Sequence, residues 1–335
     1  VDLMSWSEIC GHERQKEFFE RAVLSGRVVH AYLFSGPSRV GKTTFALELV
    51  KLLNCLNPTE EGSCDRCENC RLIINLTHPD ISFLSPSGDY LKIDEIRSFV
   101  RWLNFKPLMG KMKVGIIEEA EKLTEEAANC LLKTLEEPPG ESMVILITSQ
   151  RASLLPTIIS RCQVVEFSPL SFSEISNYLV EKKGWKEEEA RRASSFSQGS
   201  LGKAEEIKEG RSGLEDKFWE LWYKLKSERD SLSLGSWFYD NKEQLPLIMI
   251  FLEQYLRDLW VWKVTEGQCS NLLFFEKEKV QEEAKEQEAE TWRRLIILVD
   301  NLISDISGNL NWDIVLCRFL FLWRGEWNRA SSSRN

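Results

Sequence analysis

The chain has 335 residues, with 43 Lys and Arg against 52 Asp and Glu, so its formal net charge is −9 and sequence-independent gripping of DNA phosphates by this chain alone is not expected. A hydrophobic share of 43% and a charged share of 28% exclude a largely disordered or fibrous chain, and the length implies two or three domains. No apolar run approaches the ~18 residues that span a bilayer, and Val1–Gly11 lacks the basic patch and apolar stretch of a signal peptide, so the expected compartment is the cytoplasm, with no membrane partner.

In chain order, short apolar runs alternate with helical patterns. Strands are predicted at Ala31–Ser35, Ile81–Leu84, Val114–Ile117, Met143–Thr148 and Gln163–Phe167. Helices are predicted at Thr43–Leu53, Ile93–Asn104 and Thr124–Glu137, the last ended by Pro138-Pro139-Gly140. This alternation indicates an α/β layer on a parallel sheet. From Ser171 to about Gly210 only short helices are expected, at Ser173–Lys183, Lys186–Ser197 and from Ser200, with Gly184 and Gly199 as stop signals. The remainder is helical and holds nine of the twelve tryptophans, at 219, 222, 237, 260, 262, 292, 312, 323 and 327. Their helical spacing is the mark of a core, with a protein interface as the alternative. Glu276–Glu290 is almost devoid of apolar residues and reads as a solvated helix or a mobile connection, and Ser331–Asn335 as an unstructured tail.

The sharpest motif is Gly36-Pro37-Ser38-Arg39-Val40-Gly41-Lys42-Thr43, followed by Thr44, which fits the G-x-x-x-x-G-K-[ST] phosphate-binding loop. Glycines at this spacing let backbone N–H groups curl round phosphates, Lys42 reaches the β/γ oxygens, and the Thr43 hydroxyl ligates Mg²⁺. A strand before the loop and a helix after it are the context the motif requires, and the helix adds its positive dipole end. A decayed loop without nucleotide is the bland alternative. An ATPase also needs carboxylates at the end of a second apolar strand. Val114–Glu121 supplies them, with Glu118 at the metal-side position and Glu119 at the base position.

Nine cysteines are distributed unevenly. Cys55, Cys64, Cys67 and Cys70 fall within 16 residues, whereas Cys10, Cys130, Cys162, Cys269 and Cys317 are isolated. Four thiolates with two-residue gaps are what a closed tetrahedral zinc site uses, so the cluster is expected to hold structural Zn²⁺. The intervening Asn57–Gly62 is rich in turn residues.

Several of these motifs recur together. Trp6-Ser-Glu-Ile9-Cys-Gly11-His12, the segment from His30 through the phosphate loop, the four-cysteine insertion, Leu135-Glu-Glu-Pro-Pro139 and Ser160-Arg161-Cys162 come in the order found in bacterial clamp-loader AAA+ subunits of DNA polymerase III, the gamma/tau and delta-prime family. The resemblance covers residues 5–205. It implies a P-loop AAA+ module with a parallel sheet and zinc-binding insertion over 1–168 (zinc module 55–70), a small helical lid over 169–209, and an all-α collar over 210–330. It also implies a hetero-pentamer with gamma/tau and delta subunits that uses ATP to place a sliding clamp on primed DNA. In such assemblies the Ser-Arg-Cys arginine enters the neighbour's ATP site, a role that falls here to Arg161. Without the resemblance, Arg161 is an ordinary arginine at a strand edge.

Departures from the motor pattern point to the delta-prime branch. Glu118 stands where the motor has aspartate, Thr148-Ser149-Gln150 offers no asparagine to hold a water, and Gly199-Ser200-Leu201-Gly202 has glycine where the motor has a phosphate-touching arginine. Weak hydrolysis by the chain's own site follows. A gamma/tau-type motor is the alternative.

Overall fold

Five runs of four to seven residues form one parallel sheet, and the three central runs, mostly apolar, are buried along their whole length, which suits strands covered on both faces. In the computed structural model, which describes residues 9–58, 62–86, 88–209, 214–227, 231–268, 277–306 and 311–332, the chain divides into two compact units, 1–203 and 204–335. Trp6 to Glu8, residues 59–61, Cys269, Glu276 and residues 333–335 lie outside the described residues.

The first unit runs α1 (Glu13–Leu24), β1 (Ala31–Ser35), α2 (Lys42–Asn54), α3 (Glu68–Ile74), β2 (Ile81–Leu84), α4 (Ile93–Leu103), β3 (Lys113–Ile117), α5 (Glu125–Glu136), β4 (Ser142–Thr148), α6 (Pro156–Ile159) and β5 (Gln163–Glu166), then α7 (Phe172–Glu181) and α8 (Glu187–Phe196). The unit boundary falls inside α9 (Leu201–Glu209). The strand order is β2-β3-β4-β1-β5, all parallel. Alternate side chains of the central strands feed two cores. Phe19, Tyr32, Phe34, Phe45, Leu49 and Ile145 fill one. Leu33, Ile96, Phe99, Leu131, Leu146 and Ile158 fill the other. Helices α1 and α2 therefore cover one face, and α4 and α5 the other.

All five strands are where the sequence predicts them, to within one residue. Helices α1, α3 and α6 have no counterpart among the predicted elements. Helix α5 starts on a Thr124 cap whose hydroxyl accepts from Ala127 N at 3.3 Å. The Ser171–Glu174 capping box starts α7.

The second unit comprises the rest of α9, then α10 (Leu214–Ser227), α11 (Ser231–Asp240), α12 (Leu245–Val264), α13 (Lys277–Glu283), α14 (Ala289–Ile306) and α15 (Trp312–Ser332). Its core mixes aromatic side chains with many leucines and isoleucines. Trp222, Trp292 and Trp323 are fully buried, Trp237 nearly so, and Trp222 meets Tyr255 edge-on at 5.1 Å. The core reading holds for these four; Trp219, Trp260, Trp262, Trp312 and Trp327 are half-buried. Two expectations need correction. The charged run is helical and keeps Glu278, Glu282, Lys285, Glu288 and Glu290 exposed, but it is not wholly solvated: Val280 and Ala284, one helical turn apart, are fully buried and seat α13 and the 3₁₀ turn after it. The predicted tail begins inside α15, which runs on to Ser332. No helix among the described residues is long and apolar enough to cross a membrane.

Candidate functional site

Parallel strands send their C-terminal ends to one edge, and the order β3-β4-β1 brings the segments after those three strands together there. After β1 comes the loop Gly36–Gly41, and α2 starts at Lys42. Gly36 is obligatory: with φ at 156°, a Cβ on it would stand 2.1 Å from the carbonyl oxygen of Phe167. Pro37, Ser38 and Arg39 are exposed, Val40 is buried, and Thr44 faces solvent on the first turn of α2. The Lys42 ammonium donates to the carbonyls of Gly36 and Pro37 at 2.7 and 2.6 Å. Burial lowers its pKa to about 8 against the opposing pull of Glu121 and Glu118.

After β3 come the carboxylates. The Thr43 hydroxyl donates to Glu118 Oε1, so the two groups expected at the metal side of the site do meet, across 75 positions of sequence. Glu119 sits elsewhere: its backbone is left-handed at φ 48°, and its exposed carboxylate pairs with Lys122. The third carboxylate, Glu121, was not singled out from the sequence, yet it accepts from the Ser149 hydroxyl at 2.6 Å and from Ser149 N at 3.1 Å. Burial works to raise the Glu121 pKa, but these bonds outweigh it and hold the carboxyl below its ordinary range. Ser149, in the polar segment after β4, is thereby tied to the carboxylate cluster.

The segment Gly199–Gly202 closes over the exposed part of the loop. Ser200 Oγ donates to the carbonyls of Ser38 and Arg39 at 3.2 and 2.9 Å, and Gly202 N donates to Arg39 O at 3.1 Å. A Cβ at Gly202 would lie 2.9 Å from Arg39 Cβ, so the position where the motor pattern has arginine is here a close backbone approach. Lys203 turns to Gln198 at 3.0 Å.

Arg161 lies at the other edge of the sheet. It precedes β5, whereas the loop and the carboxylates follow their strands, so about 13 Å of strand separates it from its own chain's loop end. Its Nε donates to Glu136 Oε1 at 2.6 Å, Nη2 pairs with the same oxygen, and Nη1 donates to Thr157 O at 2.9 Å.

The four cysteines of the insertion converge: their sulfurs all lie within 4.8 Å of one another and could hold a metal ion. Tetrahedral Zn–S bonds of ~2.3 Å need sulfurs roughly 3.8 Å apart, so the cluster fits with a small contraction. Backbone N–H groups of Cys64, Cys67 and Cys70 point at the sulfurs of Cys55, Cys64 and Cys67 at 3.4, 3.3 and 3.5 Å, the bonds that disperse thiolate charge. Buried polar groups tie this module to its surroundings. Lys51 bridges Glu48 and Asp65 at 2.7 and 2.6 Å. Asn69 donates to Asn54 O at 2.8 Å, and Asn54 Oδ1 accepts from Lys111 N and Met112 N at 2.9 and 3.0 Å. Asp80, fully buried, accepts from three successive amides, Leu108 to Gly110, at 2.7 to 2.8 Å. Burial would raise the Asp80 pKa, but these amides together with Lys113 hold it below its usual value.

Known proteins share part of this chain. Residues 11–171 match the family described as DNA polymerase III, delta subunit. The chain is 38% identical over 180 residues to DNA polymerase III subunit delta' of Bacillus subtilis, which covers 53% of this chain and 54% of that one. It is 40% identical over 143 residues to subunit delta' of Pseudomonas aeruginosa, covering 42% and 44%. It is 33% identical over 176 residues to subunit tau/gamma of Haemophilus influenzae, covering 52% and 25%. The chain thus spans about half the length of the delta' relatives it matches, or less.

Proposed function

From the kinship of residues 11–171 with DNA polymerase III clamp-loader subunits, delta-prime-like as they are, we propose that the whole chain works as a delta-prime subunit. In this reading it assembles with gamma/tau and delta subunits in a hetero-pentamer that loads a sliding clamp onto primed DNA with ATP, in the cytoplasm. The module boundaries we assign are 1–168 for the ATPase-like part, 169–209 for the lid and 210–330 for the collar.

The observation that carries this reading is the placement of Arg161. A guanidinium at the N-terminal edge of β5 is on the wrong side of the sheet to serve its own chain's loop, and its partial exposure supports action on a neighbour's phosphates. There it would offset charge on the transferring phosphoryl group. The chain's own site is the weaker partner. Gly202 supplies no guanidinium, Ser149 is occupied by Glu121, and the Glu119 side chain pairs with Lys122 in place of a water. The Gly36–Thr44 loop retains the groups to bind ATP, with Thr43 and Glu118 the groups to hold Mg²⁺. Structural Zn²⁺ is assigned to Cys55, Cys64, Cys67 and Cys70, where it would cross-link the loop after α2.

Assembly is the decisive experiment. The chain mixed with purified gamma/tau and delta subunits should elute as one complex that loads clamps on primed DNA, and failure to join that complex would remove the proposal. The gamma/tau-type motor reading is favoured by one observation, the Thr43–Glu118 contact. It would gain the upper hand if the isolated chain hydrolysed ATP robustly and Lys42→Ala abolished the activity.

Nucleotide binding carries a pH signature. In the free protein Lys42 loses its proton as pH rises through about 8, whereas bound phosphates favour the ammonium. Binding at pH 8.5 should therefore take up a proton, and affinity should fall as pH rises above 8. Calorimetry in buffers of differing ionisation enthalpy reads this directly, and equal apparent enthalpies in all buffers would contradict it.

A further inference from the structure

We propose that Glu136 is a positioning residue for Arg161, gripping one side of the guanidinium so that the other is presented to a neighbouring ATP site. The proposal rests on the reading that Arg161 acts in trans. A guanidinium has five N–H donors. Here Nε and Nη2 each direct one to Glu136 Oε1, and Nη1 directs one to Thr157 O. One donor remains on each terminal nitrogen, the fork that suits two oxygens of a phosphoryl group.

Both gripping groups stand on packed elements. Glu136 is the last residue of α5, next to the buried Leu135, and Thr157 precedes the buried Ile158 in α6. Pro138 and Pro139 follow Glu136 and stop the helix from extending. The pair is also accessible, with side-chain exposures of 32% for Arg161 and 47% for Glu136, so the free fork can be reached from outside the chain. An exposed ion pair contributes little to folding, and its geometry is better explained by what it does to the arginine. A flexible arginine must be ordered during the reaction, whereas one held from behind is ordered beforehand.

The test uses a loader reconstituted with gamma/tau and delta subunits and single-turnover ATP hydrolysis. Glu136→Ala should lower kcat about ten- to a hundredfold, on the order of what a misplaced catalytic group costs, and leave the KM for ATP unchanged. Glu136→Gln, which keeps the accepting oxygen, should recover most of the rate. In an Arg161→Ala background, Glu136→Ala should add no further loss, whereas a merely structural role would lower the rate in both backgrounds. A normal or raised kcat for Glu136→Ala beside a slowed Arg161→Ala overturns the positioning role alone. An unaffected Arg161→Ala assembly overturns the trans reading and this role with it.

Discussion

Arg161→Ala should leave the chain folded and able to assemble, yet slow hydrolysis at the neighbouring ATP site by on the order of a thousandfold, the lower end of what a guanidinium supplied in trans contributes. The fold is spared because the side chain is 32% exposed and its removal frees Glu136 into water, not into a core. The rate is not spared, because no other cation in the Ile158–Gln163 stretch can take its place. Arg161→Lys should restore little. A lysine ammonium presents a point charge without a planar fork and cannot be held from behind while also facing two oxygens. Single-turnover measurements on the reconstituted assembly, with gel filtration and circular dichroism as controls, decide the matter. Wild-type turnover in a well-assembled Arg161→Ala loader would refute the role.

Metal removal is the second large effect. Elemental analysis should find one zinc per chain, and Cys67→Ser or a strong chelator should unravel residues 55–74 while the sheet persists. Structural zinc contributes roughly 10–16 kcal/mol in isolated finger peptides. A third of that, at about 2–4 °C per kcal/mol for a domain of this size, lowers Tm by roughly 7–20 °C. Hydrogen exchange should show the damage spreading beyond the module. Asn69 holds Asn54, and Asn54 holds the amides of Lys111 and Met112, so the loop between α4 and β3 should lose protection together with α3. A metal-free protein with the same Tm and exchange pattern would overturn the assignment.

The elements that the sequence announces are those with dense local signals. The strands are unbroken apolar runs, the Gly36–Thr43 loop combines glycine spacing with its strand and helix, and the cysteines gather within a few turns of chain. Helix α3 leaves little separate signal because its seven residues start on the Cys67 cap and take in Cys70, so its first turn shares its positions with the cysteine spacing. The polar run ending at Glu290 misled because two small apolar residues, Val280 and Ala284, are enough to anchor a short helix. Within the site, Glu118 was legible because it ends an apolar strand. The setting of Glu119 was not, since a single left-handed residue turns its side chain toward Lys122. Glu121 depends on Ser149, 28 positions on, and Ser200 on backbone carbonyls 161 and 162 positions back. Bonds between a side chain and a distant backbone leave no periodicity to read.

That last contact sets a timetable. During synthesis the cysteine module can close as soon as Cys70 has left the ribosome, 15 positions after Cys55. The phosphate loop emerges earlier but is complete only when Ser200 arrives to bond Arg39, 161 residues later. At about 5–20 residues per second, that is roughly 8–32 s in which Gly36–Lys42 exists without its cover. A nascent chain stalled before Ser200 would present an open loop beside a complete set of four cysteines, so the order of translation makes assembly of the cysteine module an early event and closure over the loop a late one.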